Sequence, residues 1–103
     1  AEAKVLMQLG LIHTLQKDYD RAIATYQKIL PVLWAVNSSE EAHALKNLAF
    51  AYQNAKEYAK AIFYYEQALK IFQTTASLKD QAYIFGQLGR IYRATRQDAL
   101  ALQ

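Results

Sequence analysis

Cysteine is absent from this chain, which removes disulfides, thiolate nucleophiles and sulfur-ligated metals from consideration. One proline and three glycines are too few to punctuate the many short strands of an all-β fold. No stretch approaches the roughly 18 apolar residues that a membrane-spanning helix needs, so membrane insertion is not expected. Charge of one sign is scarce as well. Twelve basic residues against nine acidic ones leave a formal +3, and no run of Lys or Arg concentrates it. Nucleic acid requires a clustered basic face, so none is expected as a partner, and the small excess supports only a weak preference for acidic ones. The chain begins at Ala1 without Met or a signal-peptide pattern; it reads as a segment of something longer, with the cytoplasm as the expected compartment.

What is present is apolar and helix-compatible. Of 103 residues, 53% are hydrophobic and 20% charged, the balance of a single folded domain. Self-comparison then supplies the organisation. Leu6-x-x-Leu9-Gly10-x-x-His13 aligns without gaps on Leu45-x-x-Leu48-Ala49-x-x-Tyr52 and on Phe85-x-x-Leu88-Gly89-x-x-Tyr92. Six residues further on come Tyr19, Tyr58 and Asp98. Tyr19-x-x-Ala22-x-x-x-Tyr26 and Tyr58-x-x-Ala61-x-x-x-Tyr65 follow, and in the third copy only Asp98 and Ala101 are reached. The leucines at 9, 48 and 88 recur every 39 and 40 residues.

This pattern resembles the tetratricopeptide repeat, a helix–turn–helix unit with a W-x-x-L-G-x-x-Y…A-x-x-x-F…P signature. The usual period is about 34 residues; here it is longer, as in the long-repeat subclass found in kinesin light chains and some bacterial regulators. The resemblance implies an all-α, right-handed solenoid of antiparallel hairpins, about two and a half units long, with repeats near 3–37, 39–76 and 78–103. Helices are expected over 2–16, 20–36, 39–55, 58–75 and 79–95, with another opening near 98. Pro31 predicts a kink or early stop in the second.

Local chemistry agrees. Gly10, Ala49 and Gly89 fall where paired helices must approach closely, answered by Ala22, Ala61 and Ala101, while Tyr26 and Tyr65 fill toward the next hairpin. Ser38-x-x-Glu41 reads as a capping box and Ser77-x-x-Asp80 as a weaker one. Lys17, Lys56 and Arg96 occupy the turn inside each hairpin where the family commonly has glycine; a left-handed backbone there costs about 1 kcal/mol each.

On a helical wheel at about 100° per residue, Leu45, Leu48, Ala49 and Tyr52 share the packing side. The opposite side carries His43, Lys46, Asn47, Phe50 and Asn54. The corresponding positions are Lys4, Met7, Gln8, Leu11 and Leu15 in the first copy, and Tyr83, Gly86, Gln87, Arg90 and Ala94 in the third. The resemblance places these on the concave wall of the superhelix. A solvent-facing helix side is normally charged, whereas Met7, Leu11, Leu15, Phe50 and Tyr83 are apolar or aromatic. An apolar patch rimmed by polar groups marks a binding surface. The competing reading is cover from a neighbouring helix or a chain terminus. The expected guest is a protein or peptide with apolar anchors and an acidic end near Arg90, its backbone met by Gln8, Asn47 and Gln87. A carboxylate clamp of the co-chaperone kind fails: of Met7, Leu11, Asn47, Tyr83 and Gln87, only Asn47 has the required type.

Other features are assigned to packing. His13 stands where its sister copies have Tyr, and His43 lacks the further ligands a metal needs, so no metal or cofactor is expected. No nucleophile–base set or phosphate loop can be assembled, and no enzyme is expected. Tyr19, Tyr26, Tyr52, Tyr58, Tyr65 and Tyr92 hold repeat positions, leaving Tyr64 and Tyr83, too few for a base-stacking track. Trp34 is expected to seal the junction between the first two copies. The third copy stops after barely one turn of its second helix, so Ile62, Tyr65, Leu69 and Phe72 are expected to lack part of their cover. Fraying after Ala94, or a homo-oligomer built through that end, is the consequence.

Overall fold

A computed structural model describes residues 2–33 and 38–101, with side chains described over 5–30 and 40–96. The described chain is all α: α1 (Glu2–Leu15), α2 (Tyr19–Leu33), α3 (Ser38–Asn54), α4 (Tyr58–Thr74) and α5 (Leu78–Ala101). Each helix packs on the next in sequence, and α1 also touches α3. Side-chain bonds join α3 to α5, so α1, α3 and α5 stand in one row with α2 and α4 behind it. The slab measures 49 × 31 × 19 Å. It is the all-α solenoid of antiparallel hairpins that the repeat implied.

The turns are built alike. Lys17 N–H bonds to the Thr14 carbonyl at 3.0 Å and Asp18 N–H to His13 at 2.8 Å; Lys56 bonds Gln53 at 3.1 Å and Glu57 bonds Tyr52 at 2.9 Å. This double closure of the last turn is the Schellman pattern, which needs a left-handed residue just past the helix. Lys17 and Lys56 supply it at φ 63° and 65°. A third copy of the device follows α4, with Ala76 at φ 59° and Ser77 N–H bonded to Phe72 at 3.0 Å. Asp18 then starts α2, its carboxylate accepting from Arg21 N–H at 3.4 Å. A β-carbon in this conformation crowds its own backbone, so Lys56→Gly is expected to stabilise the fold by about 1 kcal/mol. A rise of several degrees in the thermal midpoint would show it; an unchanged or lower midpoint would contradict it.

The core is narrow and rich in small residues. Ala22, Ala42, Ala44, Ala49, Ala51, Ala61 and Ala68 are fully buried beside Tyr26, Ile29, Leu48, Tyr65, Ile84 and Ile91. Small side chains let the helix axes approach until aromatic rings span the gap. Gly10 is the tightest point: a β-carbon there would meet the Tyr26 ring at 2.6 Å.

Several expectations are corrected. The chain does not turn at Arg96: α5 continues as one 24-residue helix to Ala101. The Schellman turn is favoured when a returning helix buries its face against the first, and among the described residues nothing lies over this side of α5. Gly89 accordingly has nothing within 4 Å of where its β-carbon would be, while Phe85 and Tyr92 are 56% and 53% exposed instead of packed. Leu9 on α1 is 40% exposed, whereas its counterpart Leu48 is fully buried. Conversely, α5 does cover α4: Tyr65 and Phe72 are buried, with Ile62 and Leu69 packed against the core. Helix α2 passes through Pro31 to Leu33. Trp34 and the expected helix end at 36 lie outside the described residues, as do the side chains of Lys4, Ser38, Asp98 and Ala101.

Candidate interaction surface

The helical wheel assigns its residues to the wall formed by the row of α1, α3 and α5, which has α3 at its centre. His43 is half-buried and meets the Phe72 ring edge-on at 5.2 Å. Lys46 is paired rather than offered to solvent. Its Nζ lies 3.1 Å from Asp80 Oδ1, with both side chains 18% exposed, and it sits 5.1 Å from the Tyr83 ring centre and 5.8 Å from that of Phe72. Asp80 Oδ2 also accepts the Ser77 hydroxyl at 2.6 Å. The Ser77 bond, opposed by burial and aided by Lys46, holds the Asp80 carboxyl below its usual range. The Ser77–Asp80 pair therefore starts α5 through a side-chain bond and locks that helix to α3.

A second rung crosses the same junction. Gln53 Nε2 donates to Gln87 Oε1 at 3.0 Å, and Gln53 Oε1 accepts the Tyr65 hydroxyl at 2.7 Å. Gln87 is thus tied at its carbonyl oxygen. Asn54 donates to the Phe50 carbonyl at 2.8 Å. Neither Asp80 nor Gln53 was among the expected wall residues. The helical wheel held a signal for Gln53, which lies seven residues from Lys46 and hence on nearly the same face; nothing in it placed Asp80 across from Lys46.

The remaining positions differ in exposure. Met7 is packed partly against the core, and Phe50 and Asn47 are half-buried. Gln8 and Arg90 are exposed, as are Leu11 at 43%, Leu15 at 82% and Tyr83 at 37%. Arg90 forms no ion pair among the described residues, and its charge partly offsets the effect of burial, which raises the Tyr83 hydroxyl pKa. Beneath the wall, the fully buried Tyr26 hydroxyl has no hydrogen-bond partner among the described residues. Burial pushes its pKa up to about 12. His13, likewise packed, leaves Nδ1 unpartnered.

Among the described residues no three His, Asp or Glu side chains converge on a common point, and no helix is long and apolar enough to cross a membrane. A depression of about 250 Å³ between α2, α3 and α4, lined by Leu30, Glu41, Leu45, Phe63, Tyr64 and Gln67, shares no residue with the wall.

Comparison with known proteins agrees with this architecture. The family model described as tetratricopeptide repeat matches residues 1–74. An uncharacterized protein of Guillardia theta, ycf37, is 30% identical over 96 residues, covering 91% of this chain and 53% of the relative. The chain thus spans about half the length of that curated relative.

Proposed function

We propose that this chain, which belongs to the tetratricopeptide repeat family, holds a peptide or protein segment against the wall formed by α1, α3 and α5. Repeats of this family mediate protein–protein interaction; the use of this particular wall is our reading. What carries it is the exposure of Leu11 and Leu15 beside half-buried Met7 and Phe50, on helix faces where a purely solvated surface would be charged. Arg90 supplies an exposed cation at one end, while Lys46, already neutralised by Asp80, acts as structure. The ligand is then an acidic segment with aliphatic or aromatic anchors: apolar residues over Met7, Leu11 and Phe50, amide contacts from Gln8 and Asn47, and a carboxylate toward Arg90.

Titration of an acidic, leucine-containing peptide tests this. Phe50→Ala is expected to weaken binding roughly tenfold, the usual cost of losing an aromatic anchor. Arg90→Glu is expected to weaken it and to flatten its salt dependence. Equal affinity for both variants and the parent would defeat the reading. A second reading, a structural module that assembles a larger complex, draws support from the uncovered end faces: Val5, Leu9 and Ile12 on α1, Phe85 and Tyr92 on α5. Groove substitutions that leave assembly intact, or the reverse, separate the two.

A further inference from the structure

The depression between α2, α3 and α4 encloses about 250 Å³. Its three helices are the inner ones of the five, with α1 and α5 on either side. Hairpins that lengthen a solenoid stack on its end faces, so the opening is a property of these three helices themselves. Leu30 and Leu45 give it apolar lining. Tyr64 stacks on Tyr52 at 5.5 Å and meets Phe63 edge-on at 5.1 Å, which fixes an aromatic flank. Phe63 itself remains 54% exposed.

Among the described residues that line the depression, Glu41 alone is charged. It is half-buried, and none of the three ion pairs among the described residues includes it. Lys60, the cation of the same aromatic cluster, is engaged elsewhere, 3.7 Å from Glu57 and 5.5 Å from the Tyr52 ring centre.

We infer that this depression receives an arginine side chain from a partner protein, with its stem on Leu30 and Leu45 and its guanidinium shared between Glu41 and Phe63. Charge selects the occupant. An aliphatic or aromatic guest would take the Glu41 carboxylate out of water without a counter-charge. An anion would face that carboxylate with no cation in the lining to offset it. A cation is attracted both by the carboxylate and by the faces of the aromatic rings. Arginine suits the place better than lysine, because a planar guanidinium can meet a carboxylate through two N–H groups and lie flat on a ring. Size agrees: the volume falls below the roughly 300 Å³ at which sites for drug-sized ligands begin, and is that of a slot for one long side chain. The inference does not rest on the wall being a peptide site, since the two share no residue.

The probe is a blocked tripeptide with arginine between two glycines, added to the isotope-labelled 103-residue chain while amide chemical shifts are followed. Saturable shifts centred on Glu41, Phe63 and Tyr64 are expected, with a dissociation constant in the millimolar range. Citrulline in place of arginine keeps the shape without the charge and should remove them. Glu41→Gln is expected to weaken binding roughly tenfold, and Phe63→Ala severalfold. Glutamine keeps a residue type that can complete the capping box at the start of α3, so circular dichroism of Glu41→Gln should match the parent. No saturable shift at about 10 mM peptide, equal shifts from the citrulline peptide, or binding indifferent to Glu41→Gln would each overturn the inference. So would binding seen only in Trp34→Ala, which would give the depression to the chain's own Trp34. Sedimentation showing a dimer that Glu41→Gln dissociates would give it to a second copy instead, and would overturn the inference equally.

Discussion

Replacing Gly10 by alanine is expected to destabilise the fold by about 1–3 kcal/mol, the cost of forcing one extra carbon into a filled core. The same substitution at Gly89 is expected to stabilise it by about 0.5–1 kcal/mol. The two glycines hold equivalent places in the repeat, and their environments set opposite signs. At Gly10 the new β-carbon would stand 2.6, 2.9 and 3.0 Å from three atoms of the Tyr26 ring. That ring is fully buried, so it cannot swing into solvent, and relief requires α1 to move away from α2. Movement there loosens the whole first hairpin, and alanine's better helix propensity offsets only part of the loss. At Gly89 nothing lies within 4 Å, so only the propensity gain remains. Chemical denaturation of the two variants gives the comparison directly: midpoints displaced in opposite directions are expected, and displacement in the same direction would mean that Tyr26 does not close over Gly10.

That contrast also shows which parts of the structure could be read from residue order. Spacing located both complete hairpins, because Leu48, Ala49, Ala61 and Tyr65 pack through neighbours in the same or the adjacent hairpin. The left-handed turns at Lys17 and Lys56 were legible from register despite their poor residue type. Ala76 was not, because neither glycine nor asparagine marks it and the motif is silent between hairpins. Register misled at Arg96, where it copies a turn whose physical reason, a helix to pack against, is missing from the described chain. Local helix propensity therefore carries α5 straight on. On the wall, face membership was readable and pairing was not. Periodicity puts Lys46 on the inner side, but only the tertiary approach of α5 determines that Asp80 removes its charge from the surface. Arg90, by contrast, is exposed and forms no ion pair among the described residues.

Above pH 10 the fold is expected to lose stability steeply, driven by its buried tyrosines. Burial raises the Tyr26 hydroxyl from an ordinary 10.0 to about 12 and raises Tyr65 further still. Tyr52 and Tyr83 shift the same way, burial again being the largest cause. A phenol with a raised folded-state pKa keeps its proton in the fold and releases it once unfolded. Its contribution is therefore intact below the unfolded value of about 10 and is lost as pH climbs from there toward the folded value. At about 1.4 kcal/mol per pH unit, less some screening, Tyr26 alone withdraws about 2 kcal/mol by pH 12. Tyr65 adds a loss of the same sign, and a domain of this size holds only about 5–15 kcal/mol in total. Phenolate absorbance and helical circular dichroism, followed together, test the point. The buried tyrosines should ionise only as helicity falls. Tyr26→Phe, which removes a hydroxyl without a partner, should move the helical transition to higher pH. Full ionisation near pH 10 with helicity preserved would mean that the Tyr26 and Tyr65 hydroxyls have ready access to water, and that the helices do not close over them as tightly as the core implies.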